Sequence, residues 1–202
     1  MVQLKISNIA IVILAAGTST RIGSPKQLLS YKNKNLLRHT VDEALATGCE
    51  SVFVVLGANL DLLRNELRDK PVSIIENKGW QEGMASSIRC AVEKIAGTIL
   101  RPDSIIFMVC DQPYVSSSLL LSLIAKKQET NLPIIASSYE DKSGTPALFH
   151  RSMFPALMEL TGDKGARKLI ADNPEKVATV SFPEGITDID TLADYELLKK
   201  GS

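Results

Sequence analysis

The chain has 202 residues, of which 45% are hydrophobic and 5% aromatic, and its 23 basic and 23 acidic side chains balance. This composition is ordinary for a soluble globular protein with a substantial core, and it disfavours a nucleic-acid-binding protein, which usually has a basic excess or stacking aromatics. The three cysteines lack metal-ligand spacing, and no apolar run has the length of a signal segment or a transmembrane helix. We therefore expect a cytoplasmic protein with reduced thiols and no membrane partner.

Short apolar runs alternate with helical patterns through the first half of the chain. Strands are predicted over Ile9–Leu14, Ser51–Leu56, 72–76 and Ser104–Val109, and helices over 36–47, 60–67, 84–95 and 116–128. Because these strands are apolar on both faces, they are typical of a buried parallel sheet. The alternation predicts an α/β fold with a doubly wound, mostly parallel, Rossmann-like sheet, whose ligand site lies at the carboxyl ends of the strands.

The pattern changes after residue 132. Two apolar runs, 133–138 and 145–149, flank a polar turn over 140–144 and predict an antiparallel extension of the sheet. Helices over 151–160 and 164–173, a strand over 177–182 and a final helix from Thr191 are predicted to follow. Since no linker separates these parts, we expect one domain over 1–202.

The first strand is followed by small residues, hydroxyls and two cations. They are Leu14, Ala15, Ala16, Gly17, Thr18, Ser19, Arg21 and Lys26. Small residues let a backbone approach a ligand closely, successive N–H groups can cradle phosphate oxygens, and cations suit a triphosphate. The stretch has neither the glycine spacing of a dinucleotide-binding loop nor a Walker loop. It predicts a nucleotide site, the alternative being that Gly17 merely permits a turn.

The letters from Leu14 to Lys26, L-A-A-G-T-S-T-R-I-G-S-P-K, resemble the signature L-A-A-G-x-S-x-R-[ML]-G-x-x-K of the MobA-like nucleotidyltransferases. They are most similar to the molybdenum cofactor cytidylyltransferases (the MocA type), which have alanine where the guanylyl branch has a second glycine. Ile22 departs from the usual methionine or leucine. The resemblance implies a nucleotide-diphospho-sugar transferase-like fold, with 1–115 binding the nucleotide and 116–202 the acceptor.

Asp111 follows the fourth predicted strand, in the sequence Val-Cys-Asp-Gln-Pro. A carboxylate at the carboxyl edge of the sheet can hold Mg²⁺, which takes few protein ligands beside waters and phosphates. The resemblance places the family's metal-binding G-D-x-P motif here, with Cys110 in place of the glycine. The alternative is that Asp111 caps the turn before Pro113. Cys110 is interpreted as a core residue rather than a catalytic thiol.

A third segment links the strand ending at Glu76 to the next helix and carries candidate nucleotide contacts. These are Asn77, Gly83, Ser86 and Ser87, in a run similar to the family's G-x-x-x-S-[ILV]. A helix start near Ser86 would direct its first N–H groups and both hydroxyls to the mouth of the sheet. The alternative is that Ser86 or Ser87 is only an N-cap, although the two roles are compatible.

Two segments of the second half are interpreted as acceptor-binding. They are Gly144, Thr145 and Pro146, in a turn that fits the family's G-x-P, and Gly165 and Arg167, in a run that matches G-D-x-G-A-R. The second segment predicts a cationic helix start, which suits an anionic group. Its alternative is a capped helix start with Asp163 as the N-cap.

The sequence Asp-Ile-Asp-Thr from Asp188 resembles the family's D-[IV]-D-T-P, with Leu192 replacing the proline. Asp190 is therefore a candidate second metal ligand beside Asp111. Asp188 is interpreted as an N-cap of the last helix, with Thr191 and Asp194 forming a capping pair.

The resemblance implies a Mg²⁺-dependent transfer of CMP from CTP to the phosphate of molybdopterin or molybdenum cofactor. Arg21, Lys26 and Asp111 are the implied catalytic residues, since the reaction requires in-line placement and charge neutralisation. The implied client is a molybdenum hydroxylase or its chaperone. Two alternatives stay open: a nucleotidyltransferase that uses GTP or a sugar or polyol phosphate, and a non-catalytic nucleotide-binding module.

Overall fold

The computed structural model describes residues 8–19, 22–99 and 101–200, which form a central sheet with helices on both faces. The strands are β1 (Ile9–Leu14), β2 (Ser30–Tyr31), β3 (Lys34–Asn35), β4 (Ser51–Leu56), β5 (Ser73–Glu76), β6 (Ser104–Val109), β7 (Ile134–Tyr139), β8 (Lys142–His150) and β9 (Val177–Ser181). The α-helices are α1 (Leu36–Leu45), α2 (Leu60–Glu66), α3 (Met84–Ala96), α4 (Ser117–Thr130), α5 (Phe154–Met158), α6 (Arg167–Ala171) and α7 (Leu192–Lys200). None of the described helices combines the length and apolar character needed to cross a membrane.

Seven strands form the sheet in the order β5-β4-β1-β6-β8-β7-β9. Neighbours from β5 to β6 run parallel, β8 is antiparallel to both β6 and β7, and β9 is parallel to β7. This topology confirms the predicted mostly parallel sheet with an antiparallel extension. The predicted turn over 144–146 is wrong, because these residues lie within β8, which begins at Lys142. Since β8 runs opposite to β6 and Phe107 pairs with Ala147, this stretch lies beside the last residues of β6. It therefore shares an edge of the sheet with Asp111 and with the end of β1.

Alternate side chains of each central strand enter two separate apolar cores. On β1, Ile11 and Ile13 pack with residues of α1, α2, α4 and α7. Val12 and Leu14 pack on the opposite face with residues of α3, α5 and α6. Burial on both faces explains why the strand sequences are continuously apolar instead of alternating with polar residues.

Two helices of the second half are shorter than predicted. The stretch 151–160 contains a 3-10 turn, Arg151–Met153, followed by α5. The stretch 164–173 contains only α6, and its N-cap position is Ala166, so the interpretation of Asp163 as an N-cap is wrong. Gly162 and Gly165 have φ values of 71° and 54°, and this left-handed backbone delays the start of the helix.

The predicted caps of α3 and α7 also need correction. Helix α3 begins at Met84 after Gly83, so Ser86 and Ser87 lie inside its first turn and are not N-caps. At α7, Thr191 N donates to Asp194 Oδ2 at 2.7 Å and Asp194 N donates to Thr191 Oγ1 at 3.2 Å. This reciprocal pair is a capping box, as predicted, and it leaves Asp188 without a capping role.

Candidate active site

Most carbonyl groups of the loop after β1 are hydrogen-bonded within the protein. Gln27 Nε2 donates to the carbonyl oxygens of Ala15 and Gly17, at 3.1 Å each. The carbonyl oxygen between them, that of Ala16, accepts from the N–H of Ala58 at 3.0 Å. The loop is therefore anchored on two sides, to the 3-10 helix Lys26–Leu28 and to the segment after β4.

The N–H groups of this loop are left available. Within 8–19, 22–99 and 101–200, four successive N–H groups have no protein acceptor, those of Ala16, Gly17, Thr18 and Ser19. Successive N–H groups without an acceptor in the protein can bind an anion. The local geometry is thus suited to the phosphates of a nucleotide, which is what the sequence predicts for these residues.

Lys26 joins two carboxylates from distant parts of the chain. Its Nζ lies 2.5 Å from Asp111 Oδ2 and 3.1 Å from Asp190 Oδ1. Burial alone lowers the pKa of Lys26, but the charge of Asp111 and the hydrogen bonds to both carboxylates outweigh it, so the pKa lies above its usual value. The two predicted metal ligands therefore converge on one positive charge at the carboxyl end of β6.

The same two carboxylates fit a divalent cation. Asp111 Oδ1 is buried and has no hydrogen-bond partner among the described residues, so this side chain keeps a free acceptor while its other oxygen contacts Lys26. In the described ranges there is no cluster of three or more His, Cys, Asp or Glu placed to hold a metal ion. Mg²⁺ is commonly held by one or two carboxylates together with waters and substrate phosphates. Asp111 with Asp190 matches that kind of site, and the contact to Lys26 argues against a simple turn cap.

Asp188 belongs to the same acidic group, although the sequence interpretation made it a helix cap. It lines the cavity that also contains Asp111, Asp190 and Arg167. Burial and then the charge of Asp111 raise the pKa of Asp188 to about 6, against the opposing charge of Arg167. The sequence did contain a signal that Asp188 accompanies Asp190, because residues i and i+2 of an extended segment have side chains on the same side.

Asn77 ties together the two serines at the start of α3. Its Nδ2 donates to Ser86 Oγ at 2.8 Å and to Ser87 Oγ at 3.0 Å, and its Oδ1 accepts from Gly79 N at 2.9 Å. Ser86 Oγ donates in turn to the carbonyl of Gly83 at 2.8 Å. All three polar side chains are buried. The network fixes the first turn of α3 beside the end of β5, and it occupies the Ser86 hydroxyl proton within the protein.

The start of α3 also contacts the loop that precedes α6. Ala85 N donates to the carbonyl of Gly162 at 3.0 Å. Gly83 packs so closely here that a Cβ would lie 2.1 Å from Asp163 Oδ1 and 2.8 Å from the carbonyl carbon of Gly162. The predicted nucleotide-binding and acceptor-binding segments thus meet through backbone contact.

A cavity of about 800 Å³ opens beside the carboxylates. The predicted site residues that line it are Leu14, Lys26, Asp111, Gly144, Thr145, Arg167 and Asp190. Apolar side chains from α3, β6, β8 and α6 form much of its remaining wall, among them Ile88, Val109, Ala147 and Ile170. The structure therefore brings the predicted metal ligands and three of the predicted acceptor residues into one space.

The other predicted contacts lie outside this cavity. They are Ala15, Ala16, Gly17, Thr18, Ser19, Asn77, Gly83, Ser86 and Ser87, together with Pro146 and Gly165. The Pro146 carbonyl accepts from Ser137 Oγ at 2.8 Å, and a Cβ at Gly165 would lie 2.7 Å from Met84 Sδ, so both residues pack inside the fold. Arg21 lies outside the described residues.

Cys110 is a core residue, in agreement with its sequence interpretation. Its side chain is buried, and burial raises the pKa of its thiol to about 12. A thiol with this pKa remains protonated and is a poor nucleophile at neutral pH.

This geometry agrees with comparisons to known proteins. The model of the MobA-like NTP transferase domain family matches residues 11–177. The chain is 30% identical to nicotine blue oxidoreductase of Paenarthrobacter nicotinovorans, over 93% of this chain and 95% of that protein. It is 27% identical to purine catabolism protein PucB of Bacillus subtilis, over 94% of this chain and 95% of that protein.

A solved structure is similar to this chain in both fold and sequence. Rv0371c from Mycobacterium tuberculosis H37Rv, crystallised as a complex with manganese, has a TM-score of 0.77 and 30% identity to this chain, covering 96% of this chain and 100% of that one. The family match covers the loop after β1 and Asp111, and it ends before Asp188 and Asp190. The chain therefore belongs to the MobA-like NTP transferase family, and it is a nucleotidyltransferase.

Proposed function

We propose that this enzyme transfers CMP from CTP to the phosphate of molybdopterin, with or without bound molybdenum, and releases pyrophosphate. The observation that carries the proposal is the convergence of Lys26, Asp111 and Asp190 close to a loop in which four N–H groups have no acceptor among the described residues. Lys26 belongs to both features, because its backbone N–H donates to Ser19 Oγ at 3.0 Å. This contact supports a position of the nucleotide phosphates on the loop and next to the carboxylates.

The proposed reaction needs little covalent help from the protein. An oxygen of the acceptor phosphate attacks the α-phosphorus of CTP, the bond to the β-phosphate oxygen breaks, and pyrophosphate leaves with that electron pair. Because the acceptor is already an anion, no general base is required. The residues supply in-line placement and neutralise charge. The loop N–H groups, Arg21 and Lys26 hold the β- and γ-phosphates, with Lys26 exchanging its carboxylate partners for phosphate oxygens.

Asp111 and Asp190 are proposed to hold Mg²⁺, which neutralises phosphate charge and lowers the barrier when bound. Two observations support a divalent cation here: the unpartnered Asp111 Oδ1 and the manganese complex of Rv0371c, a protein 30% identical to this chain. The choice of Mg²⁺ comes from its preference for oxygen ligands and phosphates.

Part of the cavity wall is apolar and suits the ring system of an acceptor. Ile88, Val109, Ala147 and Ile170 offer no hydrogen-bonding groups to a ligand. Molybdopterin carries a phosphate and a pterin ring system, and we assign it as the acceptor from the resemblance of the motifs.

The proposal assigns the nucleotide to residues 1–115 and the acceptor to residues 116–202 of one domain. The contact between Ala85 and Gly162 supports this arrangement, because it joins the two halves beside the cavity. We place the reaction in the cytoplasm, with a molybdenum hydroxylase or its chaperone as the recipient of the product.

CTP is expected to be turned over about 10²-fold better than GTP. A base pocket fitted to cytosine leaves polar groups unpaired when guanine enters, and such mismatches cost a few kcal/mol. Pyrophosphate release with purified molybdopterin and each of the four nucleotides would measure this preference. Equal or faster turnover of GTP would contradict the assignment of CTP.

Arg167→Ala is expected to raise the KM for the acceptor about tenfold and to leave the KM for CTP unchanged. Arg167 lines the cavity, and its Nη2 donates to Tyr139 Oη at 3.3 Å, so its guanidinium is held ready for an anionic group. Arg151→Ala is the matched control, because Arg151 pairs with Asp103 at the amino-terminal end of β6. Loss of CTP binding in Arg167→Ala would contradict the prediction, as would brisk turnover of a sugar phosphate beside none of molybdopterin.

A further inference from the structure

We propose that Gln27 is a positioning residue for the nucleotide phosphates, whose buried carboxamide holds the loop after β1 so that its N–H groups face the ligand. The inference rests on the proposed function, since it takes this loop to be the phosphate site. Nothing in the sequence motif assigns a role to Gln27, which stands directly after the lysine of the signature.

The carboxamide of Gln27 is committed entirely to one loop. The residue is only 2% exposed. Nε2 donates to the carbonyl oxygens of Ala15 and Gly17, at 3.1 Å each, and Oε1 accepts from Ser19 Oγ at 3.3 Å. Three hydrogen bonds from one buried side chain to residues eight to twelve positions earlier hold the loop in a single shape.

Fixing these carbonyl groups also fixes the N–H groups. In a planar trans peptide the C=O and the following N–H lie on opposite sides of the chain. Gln27 Nε2 binds the carbonyl oxygen of Ala15, so the N–H of Ala16 in the same peptide group points away from Gln27. Its bond to the carbonyl oxygen of Gly17 turns the N–H of Thr18 away in the same manner. Ala58 acts likewise on the peptide between Ala16 and Gly17. Gln27 therefore accounts for two of the four available N–H groups.

Gln27 also links the loop to Lys26. Ser19 has a φ of 58°, a left-handed conformation that few residues other than glycine adopt. Its hydroxyl donates to Gln27 Oε1 and accepts from Lys26 N at 3.0 Å, which stabilises this conformation. Gln27 thus keeps the N–H groups in register with the lysine that contacts Asp111 and Asp190.

The test compares Gln27→Met with Thr47→Val. Methionine keeps the length of the side chain and removes all three hydrogen bonds. We expect the Kd for CTP, and for inorganic tripolyphosphate as a probe without a base, to rise at least about tenfold by isothermal titration calorimetry with Mg²⁺. The KM for molybdopterin should remain unchanged. Thr47 is a suitable control, because its buried hydroxyl donates to Ala44 O and accepts from Cys49 N at the far end of α1.

Wild-type Kd values in folded Gln27→Met would overturn the proposal. A Thr47→Val protein with an equal drop in Tm and an equal loss of binding would overturn it too, by showing a general effect of stability. If Gln27→Met does not fold, the same Kd measurements are made on Gln27→Asn. The shorter side chain of asparagine cannot reach the carbonyl oxygens of both Ala15 and Gly17, so the same increase in Kd is expected. Failure of the wild-type protein to bind any nucleotide would instead overturn the proposed function, and this inference with it.

Discussion

Asp111→Asn is expected to lower metal-dependent turnover by at least about 10²-fold while the fold persists. The amide has nearly the volume of the carboxylate but lacks its charge, so it cannot replace a ligand of Mg²⁺. Lys26 keeps its contact to Asp190 in this variant, and we expect the local structure to survive. Initial rates of pyrophosphate release against Mg²⁺ or Mn²⁺ concentration, with circular dichroism of the variant, measure the effect.

Asp103→Asn is the matched control for this experiment. Asp103 immediately precedes β6, whereas Asp111 follows the opposite end of the same strand, and Asp103 forms a partly exposed ion pair with Arg151. Its substitution should leave the rate unchanged, because partly exposed pairs contribute little. A folded Asp111→Asn enzyme that works within about tenfold of the wild-type rate would show that this carboxylate is not a metal ligand in the reaction.

Lys26→Met is expected to lower kcat by at least about 10²-fold through loss of charge stabilisation on the departing pyrophosphate. Methionine retains the aliphatic chain that fills the partly buried site. Removing the ammonium also leaves Asp111 and Asp190 facing each other without the cation between them. Mn²⁺ binding, measured by electron paramagnetic resonance, should therefore be at least as tight as in the wild type.

The metal measurement separates the two variants. Asp111→Asn should weaken Mn²⁺ binding, whereas Lys26→Met should not, although both lose turnover. Lys34→Met serves as the control, because Lys34 pairs with Asp42 on the surface away from the cavity. A near-normal kcat in folded Lys26→Met, or weaker Mn²⁺ binding than in the wild type, would contradict the role given to this lysine.

The sequence was sufficient to predict the sheet and the edge at which the carboxyl ends of its parallel strands meet. The apolar runs of β1, β4 and β6 are bounded by abrupt changes to small or polar residues, and parallel strands bring such boundaries together. That rule brings the segments after β1 and β6 to one edge of the sheet, and the pairing of Leu14 with Val109 confirms that the two strands end together. The predicted convergence of Asp111 with Asp190 needed the resemblance as well, because 79 positions separate them.

Other features depend on tertiary contacts that no local pattern encodes. From sequence alone Gln27 resembles a surface residue of a short helical turn. It is buried in the structure because its side chain contacts the loop after β1. Asp188 fits a helix cap equally well in sequence, and only the packing of the segment before α7 places it beside Asp111. The short α6 reflects the left-handed Gly162 and Gly165, whose conformation glycine permits but does not dictate.

The close approach at Gly83 offers a way to change acceptor choice from a residue that does not line the cavity. Position 83 has a φ of 97°, and any side chain there would meet backbone atoms of Gly162, so the chain from Gly162 to Asp163 would have to shift away from α3. Asp163 is part of the cavity wall. Replacing Gly83 with Ala and then with Ser would therefore change the width of the proposed acceptor cavity in steps, while every side chain that lines the cavity stays the same. Enzyme engineers who screen only lining residues would overlook it.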